Sequence, residues 1–495
     1  MINLCLTLAE PSSATLDQKI AQYTGQVPYI EVRLDYLAEP QIPSVRPDQG
    51  TDFIATCRPS REGGHYRGEE QARMDLLQKA AHSGFSWVDL EHDVQQSPNL
   101  PSSTRIVRSY HCFDRFPEDL PSRLQSMRQT GGDVIKLAVS VGTTHQLATL
   151  LEWMESTLED TPCVIFGMGD LGQPSRLLGG FLGNRWTYVA EDEGSKVAPG
   201  QPTLKKATQC YQLPHWTSPP VFYGLLGNPI AHSLSPDIHN QLFQHYQLGK
   251  VYLPFLLDDV GVWFDYIGKS RLCFEGFSVT LPFKTDVLKV VQEKTSPVDS
   301  LNTLVKRDSQ WEGLNTDYPG FLHALKTHGS LKGKTAIVLG NGGVAHTAVK
   351  ALQDQGTEVT VVGRDGEKVS HFAKRYGCRY TSFSDLSMAA DLCVNATPVG
   401  QFPNIQDSPL TSDQLDFELV YDLVYRPEQT QLLELARLRG LKTISGIEMF
   451  VEQAALQFAA WTGISPERQM LREIIRKATG ENGQLTADNR RQNND

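Results

Sequence analysis

Eight β-rich runs precede residue 192: INLCLTL, YIEVRL, FIATCR, WVDLEH, TRIVRSYH, DVIKLAV, CVIFGM and RWTYVAE. Between most of them lie stretches of helical composition, such as GEEQARMDLLQKAAHSG and HQLATLLEWMESTLED. Strands that alternate with helices pair in parallel. Eight such units in about 200 residues fit a compact (β/α)8 barrel, whose chemistry gathers at the C-terminal ends of its strands. Polar residues fall there. Glu31 and Arg33 lie on the second strand, Arg58 on the third, His111 ends the fifth, and Lys136 sits at the end of the sixth. Loops after strands three, seven and eight add Glu62, Arg176 and Gln201.

Each of these residues alone has an ordinary explanation, as a rim charge or a packed histidine. Convergence argues otherwise. Three arginines, a lysine, a histidine and two carboxylates at one barrel mouth suit a polar anion. The lysine is expected to be crowded by cations. Cationic neighbours and desolvation both favour the free amine, the form that attacks a ketone.

The full chain of 495 residues has room for two to four domains. Its net charge of −11, from 46 basic and 57 acidic residues, argues against a nucleic-acid footprint. No apolar run approaches the ~18 residues of a membrane span. INLCLTL starts almost at once, leaving no room for a signal or transit peptide. The eight cysteines show no C-x-x-C spacing. Reduced thiols in a cytoplasmic protein, with no metal, are expected.

The second half has a different organisation. Residues 209–219, within ATQCYQLPHWTSP, carry prolines and little periodicity and read as a linker after a barrel of residues 1–208. Residues 220–320 form a mixed α/β lobe. Residues 321–446 contain GKTAIVLGNGGVAHTAVKALQDQGTEVTVVGRD, which reads strand, glycine turn, helix, strand. The turn Gly340-Asn341-Gly342-Gly343 would let the backbone approach a pyrophosphate at a helix N-terminus. The second strand of this unit ends in Gly363-Arg364-Asp365. An arginine there suits the 2′-phosphate of NADP, whereas an acid suits the ribose hydroxyl of NAD. A helix over 447–475 is expected to return to the α/β lobe. The polar tail, 480–495, is expected to be disordered.

EVRLD, TCRPSREGG, SYHCF, VIKLAV, MGDLGQPSR and APGQPT occur in that order, and with them the first half resembles type I 3-dehydroquinate dehydratases. The resemblance implies that Lys136 forms a Schiff base with the substrate ketone, that His111 moves the C2 proton, and that Glu62 orients His111. It implies that Arg176 and Gln201 hold the substrate carboxylate, while Glu31, Arg33 and Arg58 contact ring hydroxyls and ketone. Val197 stands where that family usually has serine.

GNPIAHSLSPDIHN, SVTLPFK, SLNTL, GLNTDYPG, VNATPVG, DLVYRPEQT and SGIEMFVEQA make the second half resemble shikimate dehydrogenases. Ser233 and Ser235 would hold the substrate carboxylate, with Thr280, Asn302 and Gln453 also at the substrate. Lys284 and Asp317 would share acid/base work. Gly340, Asn341, Gly342, Gly343, Val344, Gly363, Arg364, Thr397, Leu423, Tyr425 and Gly446 would hold NADP. Ser278 stands where that family often has asparagine.

The fold expected is therefore an α/β barrel followed by a two-lobed dehydrogenase with a Rossmann-type NADP lobe. The two resemblances together imply consecutive reactions on small molecules, from 3-dehydroquinate through 3-dehydroshikimate to shikimate. Two alternatives use the same folds: a quinate-sensing regulator and a dehydrogenase acting mainly on quinate. A regulator has no need to keep both sets of acid/base residues, and the chain shows no basic DNA-binding element.

Overall fold

The computed structural model describes residues 1–39, 41–46, 49–94, 98–158, 162–231, 233–383 and 389–479. The tail at 480–495 lies outside the described residues. The chain forms two compact units, Met1–Gly224 with Leu248–Phe274, and Leu225–Gln247 with Glu275–Asp495.

The first unit holds β1 (Leu4–Leu8), α1 (Ser13–Tyr23), β2 (Tyr29–Arg33), β3 (Asp52–Thr56), α2 (Glu70–His82), β4 (Trp87–Glu91), β5 (Arg105–Cys112), α3 (Leu120–Gln129), β6 (Val134–Ser140), α4 (Thr144–Thr157), β7 (Cys163–Met168), α5 (Gln173–Leu182) and β8 (Thr187–Ala190). The eight strands make one sheet in the order β7-β6-β5-β4-β3-β2-β1-β8, every ladder parallel. This is the expected barrel, nearly closed. At the seam the Arg185 N–H donates to the Cys163 carbonyl at 2.8 Å. Beside it the Asn184 amide stands in for a strand neighbour. It accepts from the Ile165 N–H at 2.8 Å and donates to the Ile165 carbonyl at 2.9 Å.

Side chains alternate faces along a strand, so every second residue enters the barrel. The inward positions begin in an apolar floor that includes Cys5, Tyr29, Ile54, Trp87, Val107, Val134, Val164 and Trp186. Two residues further along each strand come Thr7, Glu31, Thr56, Asp89, Ser109, Lys136, Phe166 and Tyr188, and this tier is mostly polar. The period of two therefore stacks a polar tier directly on an apolar one.

Lys206–Cys210 and Leu213–His215 form two short helical turns, overlapping the start of the expected linker, and Tyr211 and Leu213 are buried there. The chain continues through β9 (Val221–Gly227), α6 (Ser235–His245), β10 (Lys250–Leu256) and α7 (Val260–Ile267); β10 and α7 belong to the first unit.

In the second unit β11 (Phe274–Val279), β12 (Glu293–Thr295), β13 (Thr303–Arg307) and β14 (Gln310–Leu314) run in the order β11-β13-β14-β12. After α8 (Asp317–Leu325) come β15 (Thr335–Leu339), α9 (Gly343–Asp354), β16 (Glu358–Gly363), α10 (Gly366–Tyr376), β17 (Arg379–Ser382), β18 (Ala390–Asn395), β19 (Phe417–Asp422), α11 (Gln431–Leu438) and β20 (Lys442–Ile444). Their sheet is parallel in the order β17-β16-β15-β18-β19-β20. Counted from β15 this is 3-2-1-4-5-6, the dinucleotide-fold order that leaves a crevice at the strands' carboxyl ends.

The expected return helix is two helices, α12 (Gly446–Thr462) and α13 (Arg468–Thr479). Gly463, at φ +75°, ends the first of them in the left-handed conformation. On α12, Gln457 donates to the Asn302 carbonyl at 3.1 Å and Trp461 to the Leu304 carbonyl at 3.0 Å, so this helix packs on the β13 side of the lobe.

Candidate active sites

Lys136 is the third residue of β6, inside the barrel, rather than at the strand end as expected. Its surroundings also differ from expectation. Nζ lies 3.0 Å from Glu31 Oε1 and 3.3 Å from Asp89 Oδ2, so carboxylates touch the amine. The Tyr188 ring packs 4.3 Å from the same nitrogen. Glu31 also accepts from Thr56 at 3.1 Å and from Thr7 at 3.2 Å. Burial pushes the Glu31 acid up, but Lys136, Arg33 and Arg58 outweigh it and hold the carboxyl below its ordinary value.

Arg58 is turned into the same cage. It donates to Glu91 at 2.9 Å, Asp89 at 2.8 Å and the Ser109 hydroxyl at 2.7 Å. Arg33 is committed to Asp35 by two bonds of 2.9 and 2.8 Å. Both guanidiniums help build the cage wall, and Arg33 does so through Nε and Nη2 alone. Sequence reasoning missed Asp35, Asp89, Glu91 and Ser109. The signal was the period of two, which places Trp87, Asp89 and Glu91 on one face of β4.

His111 faces the cage from β5. Its Nδ1 lies 3.0 Å from Glu62 Oε2, and Glu62 sits in a helical turn after β3. With the proton on Nδ1, Glu62 fixes the tautomer that leaves Nε2 as a base. Burial, then Arg58, lower the imidazole to about 4, with Glu62 offsetting only part. Glu62 falls to about 2, because its bond to His111, with His92 at 3.4 Å and the Arg58 charge, outweighs burial. Donor atoms of Glu62, His92 and Asp93 lie within 4.8 Å of one another, close enough to ligate a metal, but Glu62 already holds His111 and Asp93 is paired with Arg61.

Arg176 lies in the first turn of α5, not in a loop, because Pro174 starts that helix. Its guanidinium packs 4.2 Å from the Phe166 ring. Among the described residues its Nε and Nη2 have no hydrogen-bond partner although the side chain is buried. Burial alone lowers it to about 9. A buried cation with open donors is a socket for an anion. Gln201, in the loop after β8, donates to Thr7 at 3.3 Å and accepts from the Val197 N–H at 3.3 Å.

The second unit contains a cavity of about 550 Å³. Ser233, Ser235, Thr280, Lys284, Asn302, Asp317 and Gln453, all expected at the substrate, line it together. Lys284 Nζ is 2.5 Å from Asp317 Oδ2. The lysine follows the end of β11, and the aspartate opens α8. Ser233 donates to Ser235 at 3.2 Å. Asn302 is anchored by the Thr316 N–H at 2.8 Å. Ser278 donates to Gln457 Oε1 at 3.1 Å, and both line the cavity; Gln457 was not foreseen.

Of the expected cofactor residues, Gly342, Gly343, Val344, Thr397, Leu423, Tyr425 and Gly446 also line the cavity. Gly340, Asn341, Gly363 and Arg364 lie outside that lining. Gly340 has φ +98°, and a Cβ there would come within 2.9 Å of Thr397 and 3.1 Å of the Ala396 carbonyl. Only glycine fits this turn. α9 begins immediately beyond, so its free N–H groups face the crevice. The Tyr425 and Phe450 rings stack at 4.0 Å on the cavity wall. Glycine clearance, an open helix N-terminus and a flat aromatic wall together fit a dinucleotide.

Known proteins match both halves. Residues 4–218 match the family described as Type I 3-dehydroquinase, 225–304 the shikimate dehydrogenase substrate binding domain, 323–402 shikimate/quinate 5-dehydrogenase, and 446–478 the shikimate 5′-dehydrogenase C-terminal domain. A shikimate dehydrogenase (NADP(+)) of Microcystis aeruginosa is 34% identical over 51% of this chain and 96% of its own length. The chain belongs to the shikimate dehydrogenase family, joined to a type I 3-dehydroquinase. The same pairing occurs in a bifunctional 3-dehydroquinate dehydratase/shikimate dehydrogenase of Arabidopsis thaliana, 29% identical over 90% of this chain and 80% of its own. The shikimate biosynthesis protein AroDE of Chlamydia pneumoniae is 27% identical over 92% and 95%. In this dehydroquinase–dehydrogenase chain, no helix among the described residues is long and apolar enough to cross a membrane.

Proposed function

We propose that the two cages run consecutive steps, dehydration in the barrel and reduction in the second unit. The chain is a bifunctional 3-dehydroquinate dehydratase/shikimate dehydrogenase of the shikimate pathway. The observation that supports the first step best is the Lys136 amine between Glu31 and Asp89, with His111 held by Glu62 beside it. Lys136 attacks the C3 ketone, and water leaves as the imine forms. The imine draws electrons from C2, so His111 Nε2 removes a C2 proton. The C1 hydroxyl then departs as water with a proton returned by His111. Hydrolysis of the imine frees 3-dehydroshikimate and the amine. Arg176 holds the substrate carboxylate in a fork, with Gln201 beside it.

In the second unit Ser233 and Ser235 bind carboxylate, and Asn302, Thr280 and Gln453 bind ring hydroxyls. Bound NADPH supplies hydride. Lys284 delivers the proton to the new alkoxide while Asp317 keeps the amine aimed and charged. The Gly340 turn, Asn341, the α9 N-terminus and Gly363 hold the pyrophosphate and ribose, and Arg364 holds the 2′-phosphate. The relatives named for NADP support that choice.

The domain limits we assign are 1–208 for the barrel, 209–219 for the connector, 220–320 with the helices from 447 for the substrate lobe, and 321–446 for the cofactor lobe. A cytoplasmic setting suits eight cysteines that form no disulfide. The test is direct: pure protein with 3-dehydroquinate and NADPH should yield shikimate. Accumulation of 3-dehydroshikimate alone would refute the second step, and unchanged 3-dehydroquinate the first.

A further inference from the structure

β18 and β19 end side by side on Asn395 and Asp422, which pair in register. The two loops that leave these ends supply Thr397, Pro398, Leu423 and Tyr425 to the cavity wall. One carboxylate joins the loops. Asp422 Oδ1 accepts from Asn395 Nδ2 at 2.9 Å and from the Val424 N–H at 3.0 Å, and Oδ2 accepts from the Thr430 hydroxyl at 2.6 Å. Asn395 Oδ1 in turn accepts from the Thr397 N–H at 3.0 Å and the Thr397 hydroxyl at 2.6 Å. Thr430 also accepts from the Leu433 N–H at 3.3 Å, which caps α11. The chain of bonds thus runs from α11 through Asp422 to Thr397, crossing both loops.

Asp422 is fully buried, and no cation pairs with it among the described residues. Burial raises its acid to about 6, so at neutral pH the carboxylate is a cost to the fold. A residue that only filled space would be cheaper as asparagine. What asparagine cannot do is accept from three donors at once, because one of its two polar atoms is an NH2. That need for three acceptor contacts explains a charge kept at this position.

We propose that Asp422 is a positioning residue for the dinucleotide, clamping the Thr397 and Tyr425 loops into one rigid wall. It touches neither substrate nor cofactor and acts through Asn395, Thr397 and Val424. Gly446 completes the packing: a Cβ there would lie 2.5 Å from the Val424 carbonyl. The assignment rests on the dinucleotide reading of this cavity.

Asp422→Asn is the decisive variant. It is isosteric and removes a buried charge, so the fold should hold. Its NH2 replaces Oδ2 opposite the Thr430 hydroxyl, which must turn from donating to accepting there while it also accepts from the Leu433 N–H, so the charge-assisted bond is lost. NADP+ binding should be read by titration calorimetry, together with KM for NADP+ and for shikimate. The dehydratase rate of the same sample reports on the intact barrel. Expected is a rise of roughly tenfold in Kd and KM for NADP+, the scale of one lost bond to a charged group, with KM for shikimate and the dehydratase rate unchanged. Parent-like NADP+ binding would overturn the proposal, and so would equal weakening of NADP+ and shikimate, which marks general loosening. Should Asp422→Asn fail to fold, Thr430→Val decides, with a rise of roughly threefold in Kd expected from a neutral bond. No change there would overturn it. A parent that binds no NADP+ overturns this assignment together with the reading beneath it; a parent that binds, with variants that bind equally, overturns this assignment alone.

Discussion

Lys136 Nζ and Glu31 Oε1 stand 3.0 Å apart inside the barrel, with both side chains buried. Asp89 touches the same nitrogen at 3.3 Å. The two carboxylates fix the position of the amine that attacks the substrate ketone in the proposed first step. Lys136→Ala should abolish dehydration and leave shikimate oxidation intact, because the second unit has its own lysine. Borohydride added with 3-dehydroquinate should trap an adduct, and peptide mapping should place it on Lys136. An adduct on any other lysine ends this assignment.

The histidine sets the acid side of the dehydratase profile. Burial, aided by Arg58, brings His111 to about 4. The unfolded imidazole protonates near 6.5. His111 therefore contributes stability that is complete above about pH 6.5 and is lost as pH falls toward about 4. Catalysis follows the folded value, so the acid limb of kcat/KM should lie nearer 4 than 6.5. His111→Ala should still form the imine, accumulate trapped adduct, and turn over roughly 10²-fold more slowly or worse. An acid limb at or above 6.5 would show that another group carries the proton.

Much of this was legible before any coordinates. Strands of a parallel barrel are covered on both faces, so they read as nearly continuous apolar runs, and eight such runs announce the sheet. The chemistry was partly legible because motif residues at the substrate cavity are short-range in sequence: Lys284 in SVTLPFK, Asp317 in GLNTDYPG. Ion pairing was not legible. Glu91 and Arg58 meet across adjacent strands through register, which no local pattern encodes, and so Lys136 was expected among cations when carboxylates surround it. Depth was misjudged for the same reason. The run DVIKLAV continues to Ser140, so its lysine sits mid-strand. Arg176 and Asp365 were legible in principle: Pro174 marks a helix start, and an aspartate before Gly-Glu-Lys is a helix cap.

Arg176 should separate stability from binding. Its charge is buried with open donors, and burial lowers it to about 9. At neutral pH that charge weakens the fold. Arg176→Gln should raise KM for 3-dehydroquinate by roughly 10- to 100-fold, the scale of a lost charge-assisted fork. The same change should raise Tm, by about 2–4 °C for each kcal/mol relieved in a unit this size. A higher KM with a lower Tm would mean that Arg176 has a structural partner.

Lys284 and Asp317 should matter to the redox half alone. Their 2.5 Å contact lies in the cavity with Ser233 and Ser235. Lys284→Ala should remove shikimate oxidation and leave dehydration unchanged. Ser233→Ala and Ser235→Ala should chiefly raise KM for shikimate, since carboxylate is held equally in ground and transition states. Full oxidation by Lys284→Ala would return the pair to a plain salt bridge.

Arg364 and Asp365 compete for the cofactor's ribose end, and geometry decides between them. The Asp365 carboxylate caps α10, accepting from the Glu367 N–H at 3.1 Å and the Lys368 N–H at 3.2 Å. Lys368 also pairs with it at 3.2 Å. An acid used this way is turned from the role of a 2′-hydroxyl acceptor, and its charge is partly neutralised. Arg364 precedes it, exposed, with no ion pair among the described residues. A 2′-phosphate reaching this strand end would meet an available guanidinium and an occupied carboxylate. Arg364→Ala should therefore shrink the NADP+ over NAD+ preference by about 1.5–3 kcal/mol, the worth of hydrogen bonds to a charged group. Asp365→Asn should change the preference little, because asparagine also caps helices well. The measurement is kcat/KM for each dinucleotide with shikimate, in parent and both variants. An equal or better rate with NAD+ in the parent would show that the carboxylate leaves its cap to govern the ribose.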